Sequence, residues 1–187
     1  EYIFLDDQER LRFSQKTTEY IIDTVQYVGD FSVSASATKA TIDIKYFHPC
    51  KEFVWMIQSD ADIATHSGTG NKILTYSDLD NTNKEMFKNV KVMMHGMNRF
   101  AEREAKYFRS VHPMEHHTKV PSKRVHVYSF SLHPEKYQPS GSANLSVLEN
   151  VQLIMNFEST NAYYTAARTV RVYCLTYNIL KIQAGLG

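Results

Sequence analysis

The chain lacks a charge surplus of either sign. Twenty-one Lys and Arg stand against twenty Asp and Glu, a net charge of +1, and the cations are scattered, with no run above two. Holding nucleic acid needs a basic patch that neutralises several phosphates, so the charge balance argues against a genome-binding role. Cysteine is nearly absent: Cys50 and Cys174 alone make no disulfide framework. The favoured reading is two free thiols in a reducing compartment, with a single bridge left open by the spacing. Long hydrophobic runs are missing too. Nothing nears the ~18 apolar residues of a membrane-spanning helix, and no secretory signal is visible. The first residue is Glu1, so the sequence is read as a fragment or a processed chain.

Familiar catalytic motifs are equally scarce. There is no G-x-S-x-G, hence no nucleophile elbow. Gly68-Thr69-Gly70 is a lone G-x-G in a polar stretch with no helix after it to cradle a phosphate. Asp60/Asp62 and Asp78/Asp80 lack the spacing of a calcium loop and read as solvated loop charges.

What is present is a globular composition rich in strand formers. The 187 residues are 43% hydrophobic and 22% charged, with twelve Tyr and ten Phe. That length suits one domain with a full core, and aromatic side chains favour a pleated, half-buried surface. Asp6 with Glu9 three residues on resembles a capping box and predicts a short helix over Asp7–Phe13. Strands are predicted at Thr18–Val28, Thr38–Tyr46, Glu52–Gln58, Phe87–Met94, Lys106–Val111, Val125–Leu132, Val147–Phe157 and Thr169–Ile182. Within Thr38–Tyr46, Ala40, Ile42 and Ile44 alternate with Lys39, Thr41, Asp43 and Lys45, the mark of a strand with one wet face. Glu52–Gln58 is apolar on both faces and reads as an internal strand, with Trp55 in the core. A short stretch at Asn98–Arg103 reads as helical. Residues 59–86 are too long and polar for an ordinary connection and are read as a large surface excursion; 112–124 is read as a second irregular loop. The whole reads as an all-β, eight-stranded antiparallel sandwich or jelly roll with short helices and long loops, one domain over 1–187.

Five of the eight histidines fall between 112 and 133. His112-Pro113-Met114-Glu115-His116 matches the H-x-x-E-H zinc pattern, which needs a helix to bring both imidazoles to one ion. Pro113, Pro121 and the flanking strands argue against such a helix. A cupin site needs two histidines spaced by two; His116-His117 are adjacent, and strand alternation would point them apart. No catalytic, cofactor or metal residue is therefore assigned. Asn144-Leu145-Ser146 fits the N-glycosylation triplet, a pattern common by chance. Gln138-Pro139-Ser140-Gly141-Ser142 with Asn144 reads as a rigid, hydrogen-bonded connection. Pro139 restricts the backbone, Gly141 permits a positive φ, and Ser140 and Asn144 bond to nearby backbone.

Several stretches together resemble the major capsid proteins of nucleocytoplasmic large DNA viruses. They are Phe4-Leu5-Asp6 with Glu9-Arg10, Phe13 and Glu19-Tyr20-Ile21-Ile22; His48-Pro49 leading into Glu52-Phe53-Val54-Trp55; and Tyr177-Asn178-Ile179-Leu180 with Gly185-Leu186-Gly187. The most specific runs from Tyr107-Phe108 through Pro113, His117 and Pro121 to Val127-Tyr128-Ser129-Phe130-Ser131-Leu132 with Pro134-Glu135. It continues into Gln138-Pro139-Ser140-Gly141-Ser142, Asn144 and Ser146. The loop at 59–86 carries no part of the match. The resemblance implies the C-terminal roll of a double jelly-roll protein, a structural subunit and not an enzyme, with no cofactor. It also implies homotrimeric pseudo-hexagonal capsomers in an icosahedral shell over an internal viral membrane that is not spanned. Neighbouring capsomers and minor capsid proteins would be its partners, and assembly would occur in the host cytoplasm. The competing readings are a lectin-like jelly-roll binding module and a metal hydrolase or cupin using the 112–126 histidines.

Overall fold

The computed structural model describes residues 3–64, 74, 76, 85–159 and 162–183. Helix α1 spans Asp7–Gln15 and opens where expected: the Asp6 carboxylate accepts the Glu9 backbone N–H at 2.8 Å. No side chain of α1 is buried. In chain order the strands are β1 (Thr18–Gln26), β2 (Asp30–Val33), β3 (Lys39–Asp43), β4 (Pro49–Ser59), β5 (Asn89–Met94), β6 (Met97–Asn98), β7 (Arg103–Glu104), β8 (His126–Ser129), β9 (Ala143–Asn144), β10 (Gln152–Asn156) and β11 (Arg168–Ile182). Of these eleven described strands, eight have four residues or more. Helix α2 (Asp60–Ala64) follows β4, and a short 3-10 helix covers Ala162–Thr165.

All the pairings are antiparallel and form two sheets. The first runs β1-β11-β4-β8, with β2 also on β11 and β9 on β4; the second runs β3-β10-β5-β6, with β7 on β5. The chain crosses between the sheets at each step β2→β3→β4→β5, and again through β8, β10 and β11. That winding is a jelly roll. The expected alternation in β3 holds: Ile42 is buried between exposed Thr41 and Asp43, and Ile44 and Tyr46 continue the inward face. β4 lies between β11 and β8. Trp55, Phe53 and Ile57 of β4 meet Val170, Val172, Leu153 and Met155 in one core between the sheets. Burying each such side chain contributes about 1.5–3 kcal/mol.

Several sequence expectations give way. The short strand β2 was not foreseen. Asn98–Arg103 is not a helix: its ends lie in β6 and β7. Residues 147–151, expected to begin a strand, precede β10 as irregular chain. The largest change is at Lys106–Val111, expected as a strand. Residues 105–116 are one continuous helical run, α-helical at its start, π-helical over Tyr107–Val111, and α-helical again as α3 (His112–His116). Pro113 explains the widening. It cannot donate to the carbonyl four residues back and its ring crowds that carbonyl. The wider π turn relieves both, with the His112 N–H bonding the Tyr107 carbonyl. The polar excursion is also shorter than expected. Ser59 ends β4, α2 follows, and Met86 and Phe87 are core residues. The remainder, 65–73, 75 and 77–84, lies outside the described residues, and Gly68, Gly70, Asp78 and Asp80 with it.

Candidate functional site

The helical run 105–116 packs on β8 and sets the surroundings of the histidines. Phe108 is fully buried, with its ring centroid 5.2 Å from that of Trp55. His112, 3% exposed, accepts the Ser129 backbone N–H at Nε2, 2.7 Å away, so in the neutral ring Nδ1 carries the proton; that buried Nδ1 has no hydrogen-bond partner. Burial, with His116 and His117 nearby, pushes the His112 pKa down to about 4. His116 Nδ1 donates to the Leu132 carbonyl at 3.1 Å. His117 Nε2 meets Glu52 at 2.8 Å, and that hydrogen bond raises the His117 pKa against the opposing effect of burial.

The H-x-x-E-H stretch is therefore helical, contrary to expectation, and ligand atoms of His112, Glu115 and His116 lie within 4.8 Å of one another. The strand-alternation argument about His116-His117 falls for the same reason. The hydrogen bonding nevertheless fits a metal poorly. A metal on His112 Nδ1 would require the proton to sit on Nε2, where it would face the Ser129 N–H at 2.7 Å.

A second constellation was invisible to sequence patterns because its members are far apart in the chain. Glu85 meets Arg109 at 2.5 Å, His126 at 3.1 Å and Arg124 at 3.6 Å. Although burial alone would raise it, His126 and Arg109 hold the Glu85 pKa below the ordinary carboxylate value. Burial depresses the His126 pKa despite Glu85. The group ties the segment entering β5 to the π turn and to β8, and is structural.

The Gln138–Ser146 connection is hydrogen-bonded throughout its centre. Ser140 Oγ lies 2.6 Å from Ser131 Oγ and accepts the His133 N–H at 2.8 Å, while the Leu132 N–H donates to the Ser140 carbonyl at 3.2 Å. Gly141 has φ +134°, and a Cβ there would stand 2.9 Å from the Phe130 carbonyl oxygen. Asn144, exposed in β9 opposite Pro49, accepts the Ser146 N–H at 3.1 Å, and Ser146 Oγ accepts the His48 N–H at 2.9 Å. Gln138 and Pro139 are exposed.

Elsewhere the charges are structural. Asp60 accepts the Thr169 hydroxyl at 2.6 Å, and Asp62 is buried and partnered. Buried Lys51 pairs with Asp23 at 2.8 Å. Cys50 and Cys174 are unbridged, buried thiols with sulfurs 2.8 Å apart. The β1–β11 edge stands out for the opposite reason. Ile21 of β1 lies across from Ile179 of β11 on one face of the sheet, 61% and 62% exposed, and Tyr20 lies across from Leu180 on the other face, both exposed. A shallow groove of about 400 Å³ joins Ile21 and Ile179 to His48, Pro139 and Gly141.

Fold and surface thus define a jelly roll with exposed apolar pairs along its β1–β11 edge and a hydrogen-bonded irregular connection beside them. Residues 9–187 match the family described as large eukaryotic DNA virus major capsid protein, and the chain belongs to that family. It is 30% identical to the major capsid protein of Phaeocystis pouchetii virus, over 100% of this chain and 51% of that protein. It is 31% identical to the major capsid protein of Pyramimonas orientalis virus, over 100% of this chain and 46% of that one. Among solved structures, a chain of the PBCV-1 virus capsid superposes with a TM-score of 0.79 at 27% identity, over 100% of this chain and 54% of that chain. The chain spans about half the length of these relatives.

Proposed function

We propose that this chain is the second roll of a double jelly-roll capsid subunit, which forms homotrimeric, pseudo-hexagonal capsomers tiling an icosahedral shell. The observation that supports the reading is the exposed cross-strand pair Ile21–Ile179, with Tyr20–Leu180 on the opposite face of the same edge, on a roll half the length of its relatives. Such exposed apolar pairs suit an interaction surface, which a second roll or a neighbouring copy would cover. The role is mechanical, so no catalytic residue is assigned. Gln138, Pro139, Ser140, Gly141 and Asn144 keep the edge of the roll rigid beside the same groove. Neighbouring capsomers and minor capsid proteins are the proposed partners, with assembly in the host cytoplasm and an internal membrane nearby that the subunit does not cross. Asn144 is the position at which a glycan would be sought by mass spectrometry.

The test is the solution mass of the full-length protein together with electron microscopy. Trimers of hexagonal outline are expected. A protein that stays monomeric at micromolar concentration, with no such particles, would overturn the reading.

A further inference from the structure

A cleft of about 380 Å³ opens between the helical run 105–116, β8 and the segment before β7. Its wall carries Arg99, Arg103, Tyr107, His112, His116 and Tyr128, and no carboxylate lines it. Neither arginine is ion-paired among the described residues. Arg103 lies over the Tyr107 ring, 5.3 Å from its centroid, and Arg99 lies close enough to the Tyr128 phenol to act on it electrostatically. Glu102 pairs with Lys91 at 3.8 Å, and Glu115, close to His112 and His116, lines an adjacent hollow with His117 and Lys136. The His112 Nδ1–H, fixed by the Ser129 bond, is buried behind this wall and out of reach of solvent.

Guanidiniums and phenols are donors that line one space, flanked by flat aromatic faces. A charge-assisted, often bidentate hydrogen bond to a planar or tetrahedral oxyanion is what an arginine fork favours. The volume lies in the range of small-molecule sites and far exceeds the ~30 Å³ share of one water. We propose that the cleft binds a small organic anion, about the size of one sugar unit, through a carboxylate or phosphate held by Arg99 and Arg103. A metal is the competing occupant, disfavoured by the Ser129–His112 bond. The capsid role does not require this site.

Calorimetry on the full-length protein tests it with glucuronate and glucose 6-phosphate as probes and glucose as the neutral control. Saturable binding of at least one charged sugar is expected, with glucose silent. The Arg99→Ala and Arg103→Ala variants should each weaken it by about tenfold or more. Both arginines are exposed, so these variants keep the fold, and trimer formation by the same samples reports separately on the capsid reading. Glucose binding as tightly as the anions, no binding of any probe at millimolar concentration, or binding untouched by both substitutions would overturn the proposal. So would stoichiometric zinc retained by the protein and lost in His116→Ala.

Discussion

A single backbone angle does much of the work in the Gln138–Ser146 connection. Gly141 combines a left-handed φ with a carbonyl oxygen 2.9 Å from where a side chain would begin. Gly141→Val is expected to lower stability by about 2–3 kcal/mol and to reduce soluble yield and trimer assembly; a melting curve like that of the parent would refute this. At His112 the lever is a proton. The unfolded ring titrates at its ordinary value of 6.5, the folded one at about 4. Below 6.5 the unfolded chain takes up a proton that the fold refuses, so stability falls as pH drops from 6.5 towards 4. His117 runs the other way: its raised pKa contributes stability below 6.5 that is lost as pH rises through the folded value. His112→Gln, which keeps an acceptor near Ser129 but cannot titrate, should flatten the acid limb of a plot of melting temperature against pH. An unchanged slope would show that other groups set it.

Among the elements, the 105–116 run and the entry to β5 are joined by Glu85. Removing its charge takes the shared counter-ion from Arg109, Arg124 and His126, and breaking a partly buried pair in this way costs about 1–2 kcal/mol. Glu85→Gln should therefore unfold at lower denaturant with an unchanged slope, which equilibrium urea unfolding measures. The same region divides what could be read in the sequence from what could not. β3 and β4 were legible because burial on one face, or on both, writes itself into alternation or into an unbroken apolar run. Lys106–Val111 was misread because its aromatic and β-branched residues imitate a strand while Pro113 argues against a helix, and a π turn is the rarer way of satisfying both. β2 has four residues and too little pattern to detect. Nothing local marks the Glu85 group, since its members are brought together only by packing. The cleft was likewise hidden, with Arg99, His112 and Tyr128 on three different segments.

On the scale of the whole molecule, the proposed capsomer would use the exposed Ile21–Ile179 pair of β1 and β11 for assembly rather than for folding. Ile21→Glu with Ile179→Glu places charge on a surface that is open in the isolated roll. Its melting temperature should shift little, as surface substitutions change stability by about 0.5 kcal/mol, while trimer yield should fall at least about tenfold. Sedimentation and thermal melting of the same sample separate the two effects. A variant that trimerises normally would move the interface elsewhere.

The fifteen-residue strand β11 also has a temporal consequence. It alone binds β1, β2 and β4, joining Thr18 to Ile182 and Val33 to Arg168. The second sheet, β3-β10-β5-β6, needs nothing beyond Asn156. During synthesis one half of the sandwich can form while the other waits for its central strand to emerge, leaving β1, β2 and β4 as unsealed edges meanwhile. Such remote pairing makes for slow folding, and the unsealed interval is when a nascent roll is most exposed to pairing with the wrong chain.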